Sequence, residues 1–140
     1  MKTVFFLIIS MIILAGCSED PLAPYPKPHA KLSVIPETLY VDTNSIDSVS
    51  FTADVTGSSV SGLNSSNIWA RLSWNWTSIP DSNYWDNWQS LEHMLTDPPV
   101  SFFILDTTMV FPVRKIIALE VANPDGLSDT AFDTIHIINN

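Results

Sequence analysis

The sequence is poor in cysteine, glycine and basic residues, and each shortage excludes a class of protein. Cys17 is its only cysteine, so no disulfide can form within the chain and a hydrophobic core must stabilise the fold. Four glycines are too few for the glycine-rich loops that bind nucleotide phosphates. Six basic residues stand against 15 acidic ones, and the resulting net charge of −9 opposes binding to nucleic acids and to anionic headgroups.

The sequence also lacks the motifs on which hydrolytic chemistry depends. It contains no Gly-x-Ser-x-Gly elbow and no His-Glu-x-x-His pair. Its three histidines are His29 in a proline-rich stretch, His93 in a short potential helical turn and His136 in an alternating apolar pattern. We therefore expect a protein that is not an enzyme and that has no cofactor.

The N-terminal segment has the organisation of a secretion signal. Lys2 precedes an apolar run that ends at Leu14 and is too short to span a bilayer comfortably. Leu14-Ala15-Gly16-Cys17 then resembles the bacterial lipobox, in which a peptidase cleaves before a cysteine that carries lipid. An ordinary signal peptide with an incidental cysteine is the alternative. The resemblance implies that residues 1–16 are removed and that Cys17 is lipidated.

Residues 17–30 are predicted to be the lipidated cysteine and a tether. Four prolines recur in this short polar stretch, and they favour an extended polyproline conformation: Pro21, Pro24, Pro26 and Pro28. Ser18-Glu19-Asp20 resembles the acidic export signal of surface lipoproteins, and a merely soluble linker explains it equally well. We expect a lipid-anchored protein of the cell envelope, held at the outer membrane on its periplasmic or surface face.

Residues 31–140 show the period-two pattern of β-strands and no convincing helical period. One alternating run extends from Val49 to Val55, and a second contains Ile68, Ala70, Leu72, Trp74 and Trp76, with Trp69 on its opposite face. A third apolar run follows, from Val100 to Leu105. The alternation places Trp74 and Trp76 in a core between two sheets, so the pattern predicts an all-β sandwich.

The C-terminal part is predicted to be a β-hairpin. Ile117, Leu119 and Val121 share one face, and Asn123-Pro124-Asp125-Gly126 provides a tight turn. The chain then returns over residues 127–138. Phe132 is expected on the face opposite Ile135 and Ile137, which leaves the register of the returning strand undecided.

Two of these segments together resemble the PKD domain, an immunoglobulin-like β-sandwich of bacterial surface proteins. Arg71-Leu72-Ser73-Trp74-Asn75-Trp76 matches its tryptophan-containing strand, and residues 116–130 match its strand-turn-strand ending in an Asp-Gly hairpin. Asn75 stands where the family usually has aspartate, and Thr77-Ser78 replaces a Gly-Asp pair. The resemblance covers residues 31–138 and implies a spacer, or a module that interacts with protein or carbohydrate.

The polar loop between these two segments contains the candidate binding residues. Tyr84, Trp85 and Trp88 are large aromatics that a loop does not need for a core, so they could stack on sugar rings or anchor a protein partner. They could also fold back over an open end of the sandwich. The same loop brings together three oxygen-bearing side chains that are weak candidates for calcium and that a simple turn explains as well: Asp81, Asn83 and Asp86.

These observations favour a membrane-anchored envelope lipoprotein whose PKD-like domain is a non-catalytic interaction or accessory module. Two alternatives remain open. The protein could be a small carbohydrate-binding lipoprotein that uses the aromatic loop, or it could be a structural subunit that offers a sheet edge to an envelope assembly. The expected partners are the membrane, through the lipid on Cys17, and an envelope protein or polysaccharide.

Overall fold

The computed structural model of the chain describes residues 24–42, 48–74, 85–104 and 109–140. Several residues singled out in the sequence lie outside these ranges: residues 1–16, Cys17, Trp76, Asp81, Asn83 and Tyr84. Among the described residues, no helix is long and apolar enough to cross a membrane.

The described residues form two sheets with short helical segments between strands. The strands are β1 Ser33–Ile35, β2 Thr38–Val41, β3 Ser48–Asp54, β4 Trp69–Ser73, β5 Gln89–Ser90, β6 Val100–Ile104, β7 Val113–Ala122 and β8 Ser128–Asn139. A 3-10 turn at Ser65–Asn67 precedes β4, and helix α1, Leu91–Thr96, follows β5. The helix contains His93, where the sequence indicated a helical turn.

The strands pair in the order β1-β3-β6 in one sheet and β2-β8-β7-β4-β5 in the other. All pairs are antiparallel except β2 with β8, which run parallel. β7 and β8 form the long C-terminal hairpin, and β4 lies against β7 on its other side. The prediction of an all-β chain with two sheets is confirmed.

The core lies between the two sheets and follows the alternation in the sequence. Phe51 and Ala53 of β3 are buried from one side, and Ala70 and Leu72 of β4 are buried from the other. Trp69, on the opposite face of β4, keeps 48% of its surface exposed. Burial of these apolar faces is the main stabilising contribution available to a fold without disulfides.

The structure decides the register of the returning strand. Ile135 and Ile137 of β8 are fully buried, whereas Phe132 is 60% exposed. The prediction that Phe132 lies on the opposite face is therefore confirmed. At the turn, Gly126 has a φ of 81°, a value that glycine adopts without strain, and its N–H donates to the carbonyl of Asn123 at 3.0 Å.

Trp74 differs from the expectation of a fully buried core residue, because it is only half-buried. Its ring meets the Phe51 ring edge-to-face, with centroids 5.7 Å apart. Its indole N–H donates to Asp86 at 2.6 Å. An indole needs a partner for its N–H, and Asp86 near the surface supplies one, so Trp74 packs against the edge of the core.

The last part of the predicted tether is bonded to the domain. The backbone N–H of Tyr25 donates to the Asp125 carboxylate at 2.9 Å, and the Asn123 side chain donates to the carbonyl of Pro26 at 3.2 Å. His29 forms an antiparallel bridge with Ser59. From Tyr25 onward the chain therefore runs along the domain, beginning beside the turn of the β7–β8 hairpin.

In the described part of the chain, one basic side chain is buried. Lys115 of β7 is only 2% exposed, and its ammonium group lies 5.5 Å from the centre of the Phe51 ring. Burial lowers the pKa of Lys115 to about 8, because the charged form loses hydration that the interior does not fully replace.

Candidate binding site

Trp85 and Trp88, two of the three candidate aromatics, lie on the outer face of the five-stranded sheet. Trp85 forms a bridge with Ser73 at the end of β4. Trp88 immediately precedes β5, and the pairing of Trp69 with Ser90 places it beside Arg71. The third candidate, Tyr84, lies outside the described residues.

Arg71 holds the two tryptophans together. Its guanidinium carbon is 4.9 Å from the centre of the Trp85 ring and 4.5 Å from that of the Trp88 ring. A guanidinium at these distances is attracted by the negative ring face, and each such contact is worth about 0.5–1 kcal/mol near a surface. Trp85 and Trp88 are thereby attached to the sheet.

Glu120 fixes the position of Arg71. The two residues are direct partners in the β4–β7 register, and Arg71 Nε and Nη2 both lie 2.8 Å from Glu120 Oε2. The side chains are 28% and 18% exposed, so water screens the pair only in part. Both contacts use Oε2, so Arg71 does not engage Oε1.

A surface cavity of about 470 Å³ lies next to this pair. Among the described residues its lining consists of Trp69, Trp88, Glu120, Ala122, Gly126 and Ser128. Trp69 and Trp88 are 48% and 40% exposed, so both rings have surface free for a ligand. Mostly apolar walls with a few polar groups are typical of small-molecule sites, and the volume falls in their usual range. We call this cavity the aromatic pocket.

The sequence indicated Trp88 but missed Trp69 and Glu120 as pocket residues, and it missed Arg71 as their support. The alternation in β4 does put Trp69 and Arg71 on the outer face. That Glu120 joins them depends on the pairing of β4 with β7, and no local pattern encodes this long-range contact. Trp85, in contrast, is half-buried against Arg71 and does not line the pocket.

One buried hydroxyl belongs to Ser73, the residue paired with Trp85. Ser73 is fully buried, and its Oγ has no hydrogen-bond partner among the described residues. Its backbone is paired with Trp85 on one side and with Ala118 of β7 on the other. A buried hydroxyl without a hydrogen bond lowers the free energy of unfolding, so Ser73 destabilises the sheet next to Trp85.

Of the three weak calcium candidates, only Asp86 lies in the described part of the chain. Asp81 and Asn83 lie outside the described ranges, and Asp86 accepts the hydrogen bond from the Trp74 indole. In residues 24–42, 48–74, 85–104 and 109–140, no three His, Cys, Asp or Glu side chains cluster so as to hold a metal.

The histidines lie in separate elements. His29 is bound to Ser59 through its backbone, His93 is in α1, and His136 is exposed on β8. None of them lines the aromatic pocket, whose only titratable side chain in the described part is Glu120.

No protein-family model matches this sequence, and none of the curated proteins matches it.

Proposed function

We propose that the chain is a lipid-anchored protein of the bacterial cell envelope whose β domain binds an uncharged sugar in the aromatic pocket without catalysing a reaction. The lipid anchor rests on Leu14-Ala15-Gly16-Cys17, which resembles a lipobox. The PKD-like type of the sandwich rests on the sequences of the β4 segment and of the β7–β8 hairpin. Both proposals come from the sequence and agree with an all-β chain of two sheets.

The observation that carries the binding function is the pair of exposed indoles beside an ion pair. Trp69 and Trp88 line one cavity, and large apolar rings left at a surface usually mark a binding site. Trp88 is held by Arg71, so the site is pre-organised and a ligand would lose little free energy in ordering it.

The charges in the pocket favour an uncharged ligand. The Glu120 carboxylate is neutralised by Arg71 at 2.8 Å, so the pocket offers no net negative charge to a cation. Arg71 also lies 4.5 Å from the centre of the Trp88 ring, and a second cation on that ring would be repelled by it. An anionic ligand would be repelled by the chain, whose net charge is −9.

A sugar ring satisfies the groups that remain. Its apolar C–H face can stack on an indole, and a hydroxyl can donate to Glu120 Oε1 or to the Ser128 hydroxyl. A hydrogen bond to a carboxylate is about twice as strong as one between neutral groups. Hydrolysis of a glycosidic bond generally needs two carboxyl groups flanking the bond. The described lining contains one carboxyl group, that of Glu120, and it is already paired with Arg71. This lining supports binding without catalysis.

Affinity electrophoresis through gels containing neutral polysaccharides, such as glucans, mannans and galactans, tests the binding function. We expect the chain to be retarded by at least one of them and Trp69→Ala to migrate as in a plain gel. Phe132→Ala is the matched control, because Phe132 is an exposed aromatic of the same sheet face but lies outside the pocket. Equal retardation of all three proteins, or of none, would contradict sugar binding in this pocket.

The anchor is tested separately by labelling cells with a radioactive fatty acid. Cys17→Ser should lose the label and leave the membrane fraction. Retention of the unlabelled variant on membranes washed with high salt would contradict a lipid anchor on this residue.

A second candidate is a structural subunit of an envelope assembly, and one observation favours it. β6 pairs only with β3 in the described part, so it forms an edge of the three-stranded sheet. On this edge Val100 and Phe102 are 52% and 68% exposed. If an envelope protein binds this edge, it should crosslink to the wild type but not to Phe102→Ser. The retardation of this variant by polysaccharide should be unchanged.

A further inference from the structure

We infer that the aromatic pocket lies at the membrane-proximal end of the domain and that its ligand is the uncharged sugar headgroup of a glycolipid in the membrane that carries the Cys17 lipid. This inference rests on the proposed function, since it requires both a lipid anchor and a sugar in the pocket. The ligand would then be located in the membrane and presented by a lipid.

The turn between β7 and β8 both borders the pocket and binds the start of the described chain. In the turn between β7 and β8, Gly126 lines the pocket, as does Ser128 at the start of β8. In the same turn, Asn123 and Asp125 hold the backbone of Tyr25 and Pro26. The chain that arrives from Cys17 therefore joins the domain beside the pocket.

The tether is attached there by several contacts, which fix its direction. The Asp129 carboxylate accepts the Ala30 N–H at 3.0 Å and pairs with Lys27 at 3.4 Å. The backbone N–H of Ala30 also helps to hold the pKa of Asp129 below its ordinary value. Residues 25–30 thus extend away from the hairpin turn, along the body of the domain, and residue 24 is left at the end that bears the pocket.

The length of the remaining chain limits how far this end can be from the membrane. Pro24 lies seven positions after Cys17 in the sequence. A fully extended chain spans at most about 3.6 Å per residue, so Pro24 lies within about 25 Å of the lipidated residue. A longer tether would allow the pocket to reach ligands far from the membrane. The short tether keeps the pocket near the surface of the bilayer that holds the Cys17 lipid.

The side chains around the pocket suit the headgroup layer. Tyr25 and Leu127, beside the turn, are 41% and 49% exposed, in addition to the two pocket tryptophans. Aromatic residues are enriched where protein meets the polar layer of a membrane. The acidic chain is repelled by anionic headgroups, and the ion pair of Arg71 and Glu120 leaves the pocket neutral, so an uncharged sugar headgroup is the matching ligand.

The test uses the lipidated mature chain in phosphatidylcholine vesicles that contain a glucosyl or galactosyl diacylglycerol with a photoreactive sugar. We expect light to crosslink the glycolipid to the wild type and to Phe132→Ala, but at least tenfold less to Trp69→Ala. A spacer of 20 Gly/Ser residues after Asp20 should lower the yield roughly five- to tenfold, because effective concentration falls steeply with linker length.

The outcomes separate this inference from the function on which it rests. Unchanged or higher yield with the spacer, or equal crosslinking to a photoreactive phosphatidylcholine, would overturn a sugar headgroup in the same membrane. If the glycolipid does not react while neutral polysaccharide still retards the chain through Trp69, the location is wrong and the sugar site stands. If neither binds, the proposed function itself fails.

Discussion

Arg71 and Glu120 stand opposite each other on β4 and β7, and two guanidinium nitrogens of Arg71 lie 2.8 Å from one oxygen of Glu120. The pair has two consequences for the pocket. It neutralises the carboxylate, and it holds the guanidinium where the rings of Trp85 and Trp88 can pack on it. An ion pair thus supports an aromatic binding surface.

Arg71→Leu should destabilise the domain and weaken sugar binding together. The free energy of unfolding should fall by about 2 kcal/mol, because the variant loses two ring contacts and leaves the Glu120 carboxylate unpaired in a half-buried place. Chemical denaturation of this variant and of Arg71→Leu/Glu120→Leu measures the effect. The double variant should recover part of the loss, since no unpaired carboxylate remains. With Glu120→Leu measured as well, a loss in the double variant equal to the sum of the losses in the two single variants would contradict a coupled pair.

Ser73→Ala should stabilise the domain. The Ser73 hydroxyl is buried without a partner in the described part of the chain, and its removal should raise the free energy of unfolding by about 1 kcal/mol. The urea midpoint measures this, with Ser50→Ala as a control because Ser50 is an exposed serine on β3. A lower midpoint for Ser73→Ala would mean that the hydroxyl makes a stabilising bond.

Lys115 should make stability rise with pH. Its pKa is lowered to about 8 in the folded chain, whereas a lysine in an unfolded chain titrates near 10.4. Between these values the unfolded state binds more protons, so the free energy of unfolding should increase with pH, by at most about 1.4 kcal/mol per pH unit. Urea denaturation at pH 7.5, 8.5 and 9.5 measures the slope.

Lys115→Met should abolish that slope, while Lys31→Met, which removes an exposed lysine, should retain it. Equal slopes in Lys115→Met and in the wild type would show that another group titrates.

Acid should release residues 25–30 from the domain through Asp129. The hydrogen bond from the Ala30 N–H, with help from Lys27, keeps the pKa of Asp129 below the ordinary 3.8. A carboxyl with a depressed folded pKa stabilises the docked form above pH 3.8, and this contribution is lost as pH falls through the folded value. The amide signal of Ala30 in NMR spectra should therefore move between pH 5 and pH 2.

Asp129→Asn keeps an acceptor oxygen without the titration, so its Ala30 amide signal should not change over that range. A pH profile identical to that of the wild type would show that Asp129 is not the group that holds residues 25–30.

The sequence predicted most of the sandwich because alternation reports burial directly. Phe51, Ala70 and Leu72 are buried where the period-two pattern puts them, and the Asp125-Gly126 turn forms between β7 and β8. The register of β8 was undecidable from the sequence, since apolar residues occur on both of its faces. Its pairing with β7 buries Ile135 and Ile137 and leaves Phe132 exposed.

The pocket was only partly predictable, because long-range strand pairing assembles it. Trp88 was visible as an aromatic in a polar loop. No local pattern marks Glu120 as a pocket residue, and only the strand register brings Arg71 opposite to it. The docking of Tyr25 beside Asp125 was likewise invisible, because it joins residues 100 positions apart through backbone and carboxylate groups that follow no apolar pattern.

The most direct test of sugar binding in the aromatic pocket follows the indole N–H signals of the individual tryptophans by NMR during titration with a neutral oligosaccharide that retards the chain in gels. The signals of Trp69 and Trp88 should move to saturation, and that of Trp74, bonded to Asp86 outside the pocket, should stay in place. If Trp69 and Trp88 remain unmoved while the sugar binds, or if only Trp74 responds, the aromatic pocket is not the binding site.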